Sequence, residues 1–256
     1  GSGSITVKDK SIVRLCGSGS IPTVTISKGV LEITGNANVT INNLNLNSYM
    51  DNEIIVYAGG VLTITNTFSP NDDITNYGTI SLSALNLNNS AALKNYGTFN
   101  VIANNSTSLN GDVNNYGFMT FSGNLTINGG SRFDNDCVLI CEGDLNVNGE
   151  LKVDQGFIRV DDRATISGGA VIELKKGSQF TTKDIWINGK IKGEESTSIV
   201  KVRGRSDANW GAKIEKSIEF CDADGIENFP NDIFKRGAKA ACDVTLSIIH
   251  ISEPTR

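Results

Sequence analysis

The sequence predicts an all-β fold: a single-stranded parallel β-helix, or β-solenoid, with three short strands per coil of about 18–22 residues. Three observations predict it. Apolar residues recur in three columns that advance along the chain together, members of a column pair stand two residues apart as on a strand with one buried face, and turn-forming corners recur at the same period.

The first column runs through Leu62/Ile64, Ile80/Leu82, Phe99/Val101, Met119/Phe121, Leu139/Cys141 and Ile158/Val160, in steps of 18, 19, 20, 20 and 19. Looser continuations are expected at Phe180, Val200/Val202 and Ile218/Phe220, with an earlier copy at Leu31/Ile33. Residues between the pair members, Thr63, Ser81, Asn100, Thr120, Ile140 and Arg159, should face outward.

The second column is Leu87, Leu109, Ile127, Val147, Ile166 and Ile187. Each member is followed by Asn or Ser, and Asn110-Gly111, Asn128-Gly129, Asn148-Gly149, Ser167-Gly168 and Asn188-Gly189 supply residues that tolerate a tight corner. The third column is read as Leu93, Val113, Phe133, Val153 and Leu174.

A second corner follows the third strand at Asn76-Tyr77-Gly78, Asn95-Tyr96-Gly97 and Asn115-Tyr116-Gly117, then drifts at Asn135-Asp136-Cys137 and Asp154-Gln155-Gly156. Coils stacked about 4.8 Å apart would place these asparagines in an amide ladder and these tyrosines in a stack, which together set register. A meander of hairpins would give two-strand periodicity and no reason for three columns to advance as one. About ten coils would make a rod roughly 45–50 Å long. Variable coil length points to a right-handed helix.

Four segments are expected. Residues 1–20 comprise a Gly-Ser linker and an N-terminal edge or cap, residues 21–198 the coils, and residues 199–245 the last coils and a C-terminal cap. Residues 246–256 resemble the translated sequencing adapter LSLIHISEPTR with Ile248 the mismatch, so the natural frame is expected to continue past Thr245 as in a truncated metagenomic assembly. The sole histidine, His250, falls in that tail. In the cap, Pro230-Asn231-Asp232-Ile233-Phe234-Lys235-Arg236 reads as the opening of a short helix.

A net charge of −5 with no dominant basic run argues against nucleic acid, and no apolar stretch is long enough for membrane insertion. Cys221 and Cys242 flank a turn-rich loop and form a candidate disulfide, which would imply an oxidising compartment. Cys137 and Cys141 would lie roughly 13 Å apart in an extended segment, too far to bridge.

With its Asn-Tyr-Gly-Thr corners, its Gly59-Gly60-Val61-Leu62-Thr63-Ile64-Thr65 strand and the terminal Phe220-Cys221-Asp222, the chain resembles secreted and surface β-helix proteins common in Bacteroidota. The resemblance covers roughly residues 20–225 and implies export, as an extracellular or cell-surface segment of a larger protein. It carries over no functional residue. The same architecture resembles the pectate-lyase-like enzymes, so fold alone does not decide function.

Enzymes on that fold cluster carboxylates on one outer face. Here Asp161, Asp162 and Arg163 are adjacent, with Asp134, Asp136, Glu142, Asp144 and Asp154 a coil or two away. They drift through the repeat, which favours solvated turns over a catalytic group. No catalytic residue is assigned, and a non-catalytic structural or adhesive segment is the leading expectation. The alternative is a carbohydrate-binding or polysaccharide-degrading module, with Trp186 and Trp210 as glycan contacts and an extracellular glycan or surface partner. Asp222, Asp224 and Glu227 are the weak candidate for calcium, the sole cofactor considered, because the loop lacks the full ligand spacing. Ice binding would use the outward first column, but Ile140 and Arg159 interrupt its lattice. End-to-end self-association is expected if a coil edge is left open.

Overall fold

A computed structural model describes residues 3–46, 52–102, 106–226 and 228–242. The chain winds into a β-solenoid of about 11 turns with every strand pairing parallel to its neighbours one coil away. A representative coil has Thr98–Val101 on the first face, Thr107–Leu109 on the second and Asp112–Asn115 on the third. The next repeats the pattern with Phe118–Phe121, Leu125–Ile127 and Arg132–Asn135.

Strand alternation builds the core. On the first face Val39, Leu62, Ile80, Phe99, Met119, Leu139, Ile158, Phe180, Val200 and Phe220 lie in one register column, all buried. The second face stacks Leu87, Leu109, Ile127, Val147, Ile166 and Ile187 as expected. Each coil alone exposes these side chains, so burial comes only from neighbours above and below. The aromatics Phe99, Phe121 and Phe133 are fully enclosed, and deleting such a ring costs about 3–5 kcal/mol.

The structure corrects four expectations. Leu31 and Ile33 belong to the third face, where they pair with Ile54 and Val56; Val39 and Ile41 precede Leu62 and Ile64 on the first. The third column passes from Phe133 to Leu151, Ile172 and Ile191, whereas Val153 and Leu174 continue the column of Asn135. On the first face the terminal pair is Phe220 with Asp222, so Ile218 stands one inward position earlier. Finally, Pro230–Arg236 opens no helix: a turn closes with the Ile233 N–H donating to the Pro230 carbonyl at 3.1 Å, and Phe234–Lys235 is a short strand. Sheet pairing of Phe234 with Ile214 overrides the local helical signal. The first coil begins at Ser4–Leu15, which pairs from Ser4 with Thr23 to Leu15 with Ile33.

Glycines at the corners let coils approach. A Cβ on Gly97 would collide with the carbonyl of Gly78, and one on Gly117 with that of Gly97. The Asn-Tyr-Gly corner therefore stacks closely only while its third residue has no side chain.

Candidate functional site

The corner between the third and first faces carries a buried amide ladder. Asn76 Nδ2 donates to Asn95 Oδ1 at 2.7 Å, Asn95 to Asn115 at 2.8 Å and Asn115 to Asn135 at 2.7 Å. Each donating amide also reaches a carbonyl beyond the next corner: Asn76 to Thr98, Asn95 to Phe118 and Asn115 to Val138, at 2.9–3.1 Å. All four asparagines are fully buried. An amide suits this position because it offers a donor and an acceptor along the same axis, so an unbroken row satisfies itself.

Beside the ladder, Tyr77, Tyr96 and Tyr116 stack with ring centroids 4.9 and 5.0 Å apart and planes within 12°. The stack covers both faces of Tyr96 and one face each of Tyr77 and Tyr116. The tyrosine row gives way to Asp136, whose carboxyl is pushed up by burial and by the neighbouring Asp154 and Asp134. The asparagine row gives way to Val153 and Leu174.

Past the last asparagine a lattice of ion pairs joins the coils. Lys192 bridges Glu173 at 2.8 Å and Glu194 at 2.5 Å, and Glu194 also receives Lys175 at 3.1 Å and Lys216 at 2.8 Å. Hydrogen bonds from Lys192, Lys216 and Lys175 hold the Glu194 carboxyl well below the ordinary carboxylate range. Glu173 and Glu194 in turn raise the Lys192 ammonium above its usual value. A groove nearby, of about 560 Å³, is lined by Ser131, Arg132, Glu150, Glu173 and Lys192, so part of this lattice forms its wall.

Trp186 stands outward on the second face, 39 % exposed, between the buried Ile185 and Ile187. Its register neighbours are Thr165 on one coil and Asp207 on the next. Around it Arg163, Asp184, Arg205 and Asp207 line a cleft of about 140 Å³. Asp184 Oδ1 accepts the Arg205 backbone N–H at 2.9 Å, and Arg205 Nε pairs with Asp207 at 2.8 Å. Among the described residues the Arg163 guanidinium has no ion pair. Trp210, 92 % exposed, sits instead in the turn after this face, closed by the Ala212 N–H donating to Asn209 at 2.9 Å.

The remaining candidates are dispersed. Asp134 pairs with Arg132, Asp161 with Arg159 and Arg203, and Asp162 with Lys183. Asp144 Oδ1 accepts the Arg163 backbone N–H at 3.0 Å. Among the described residues no three His, Cys, Asp or Glu side chains gather as a metal-holding group. Asp222 points inward and is buried, accepting hydrogen bonds from the Ser206 hydroxyl and, at 3.1 Å, from the Asp224 N–H; Asp224 is exposed. Glu227 and His250 lie outside the described residues.

Cys221 and Cys242 form a disulfide with Cα atoms 4.6 Å apart. Cys137 and Cys141 are free thiols, and burial pushes Cys141 up to about 12.

Sequence pattern missed the charge lattice and the arginines around Trp186, because both sets lie some 20 residues apart and meet only through register. No family model matches the chain, and neither the curated proteins nor the solved structures give a significant match.

Proposed function

We propose that the chain serves as a stiff structural segment, a spacer or adhesive stalk within a larger secreted or surface protein. The observation that carries this reading is where its polar side chains go: coil after coil, they bond along the axis. The amide ladder with the tyrosine stack beside it is followed by the lysine–glutamate lattice, and a disulfide ties the last described coils. Such bonding resists bending and register slip, which a spacer needs. The disulfide supports an oxidising, exported setting.

A distance measurement between spin labels tests it. With Cys16→Ser, labels at Thr40 and Lys201 on the first face are separated by eight coil steps, about 38 Å at the usual strand spacing. A narrow distribution near that distance supports a rigid rod. A broad distribution, or reducing ends released from polysaccharides incubated with the chain, would overturn the reading.

A further inference from the structure

The structural reading leaves the second face unused; its outward row is short and polar like Thr63, Ser81, Asn100 and Thr120 on the first face, but here the row leads to an exposed indole. Ser108, Thr126, Asn146 and Thr165 follow one another coil by coil in strict register, and the next residue in the row is Trp186. The row is thus a narrow track of short hydroxyl and amide side chains leading to an indole. Beyond the indole the row continues to Asp207, which pairs with Arg205.

The Trp186 end of this track has the chemistry of a ligand subsite. An indole nearly two-fifths exposed, on a strand paired on both sides, offers apolar surface held at little conformational cost. It is not a core residue that failed to fit, since Ile185 and Ile187 on either side are buried. Arg163 lines the cleft, and its guanidinium has no ion pair among the described residues. Asp184 and Asp207 bring acceptors, and both are held in place by bonds to neighbouring coils: Asp184 by the Arg205 N–H and Asp207 by Asn228 Nδ2 at 2.9 Å.

Charge selects the class of ligand. The lining contains two arginines and two aspartates, so the cleft is balanced and offers no net attraction to an anion or a cation. It offers donors and acceptors side by side around an apolar plate. A hydroxyl both donates and accepts, and a pyranose ring carries an apolar C–H face with hydroxyls at its rim. The elongated track calls for a ligand that is itself linear.

We propose that the second face binds an uncharged, extended polysaccharide laid along the solenoid axis, with one pyranose ring stacked on Trp186. Arg163 and the Asp184 and Asp207 carboxylates bond its hydroxyls, and Thr165, Asn146 and Thr126 contact the following residues of the glycan. This site is independent of the spacer reading, and a rod that bound no glycan would still be a rod.

The test uses Trp186 as its own reporter. In a chain carrying Trp210→Phe it is the single tryptophan. Cellohexaose, xylohexaose and mannohexaose serve as uncharged probes and hexagalacturonate as the charged one. The expected result is a saturable change in Trp186 emission with at least one uncharged probe and a weaker response to hexagalacturonate. By calorimetry on the otherwise native chain, Trp186→Ala should weaken that binding at least about tenfold and Arg163→Gln about fivefold, with unchanged circular dichroism. Three results overturn the proposal: no saturable response to any uncharged probe, preference for hexagalacturonate, or undiminished binding in both folded variants.

Discussion

Asn95 Nδ2 donates to Asn115 Oδ1 one coil away at 2.8 Å, and the same nitrogen reaches the Phe118 carbonyl at 3.1 Å. Both amides are fully buried, so neither can turn to water if the other is removed. Asn115→Ala should therefore destabilise the chain by about 2–4 kcal/mol, since it removes an acceptor of the buried Asn95 amide on one side and the donor to the buried Asn135 Oδ1 on the other. Tyr96→Ala, which removes two exposed ring contacts, should cost only about 1–2 kcal/mol. Denaturant melts of the two variants measure both; equal costs would show that the amide row does not set register.

Gly97→Ala should be disproportionately costly for one methyl group. The new Cβ meets backbone oxygen of the coil beneath rather than a side chain that can swing aside. We expect a loss of about 2 kcal/mol or more, against near-neutrality for Gly168→Ala, where nothing lies within 4 Å. Paired thermal melts read the difference.

Acid should loosen the C-terminal coils before the amide-ladder coils. The folded Glu194 carboxyl is held below its ordinary value of 4.5, so its contribution is complete above that pH and is lost as pH falls from there through the folded value. Lys192 behaves in the opposite sense: its folded pKa lies above 10.5, so its contribution holds below that pH and disappears as pH rises through the folded value. Glu194→Gln should flatten the fall in melting temperature between about pH 5 and pH 3. A variant with the unaltered acid slope would show that Glu194 is not the coupled group.

Reducing the Cys221–Cys242 bridge, which spans 21 residues, should cost about 3 kcal/mol locally. Because coils stabilise only their neighbours, hydrogen exchange should rise in residues 199–242 and stay unchanged around Phe99 and Met119. Uniform exchange along the whole chain on reduction would contradict that locality.

Between Leu62 and Val160 on the first face and between Leu87 and Ile187 on the second, the faces were readable from period because their paired inward residues stay apolar and their steps stay between 18 and 22; Val39, 23 residues before Leu62, and the inward Thr182 and Asp222 fall outside that pattern. The third misled at Val153. A search for the next apolar residue after Phe133 lands there at a step of 20, whereas the chain shortens to 18 and places Leu151 over Phe133. Val153 is apolar for a different reason: it replaces the asparagine of the ladder. The Leu31/Ile33 pair carries the right spacing for any face, and only pairing with Ile54 and Val56 assigns it. The Asn-Tyr-Gly corners were legible because identical residues recur. The Glu173–Lys192–Glu194 lattice was not, since a charged residue on an outer face has no partner until coils are set in register. Arg163 was likewise read with its sequence neighbours Asp161 and Asp162, while its spatial neighbours are Asp184 and Trp186.

Coil-on-coil register is the claim on which all of this depends, and cross-linking measures it directly. Thr120 pairs with Asn100 on the adjacent coil, and Asn100 pairs with Ser81 on the coil beyond. In a Cys16→Ser background, Asn100→Cys with Thr120→Cys places two outward thiols about 4.8 Å apart at the backbone, and Ser81→Cys with Thr120→Cys about 9.6 Å apart. Mild oxidation followed by mass spectrometry should show an intramolecular bond in the first double variant and none in the second. A bond in the second, or in neither, would contradict the stacked parallel register.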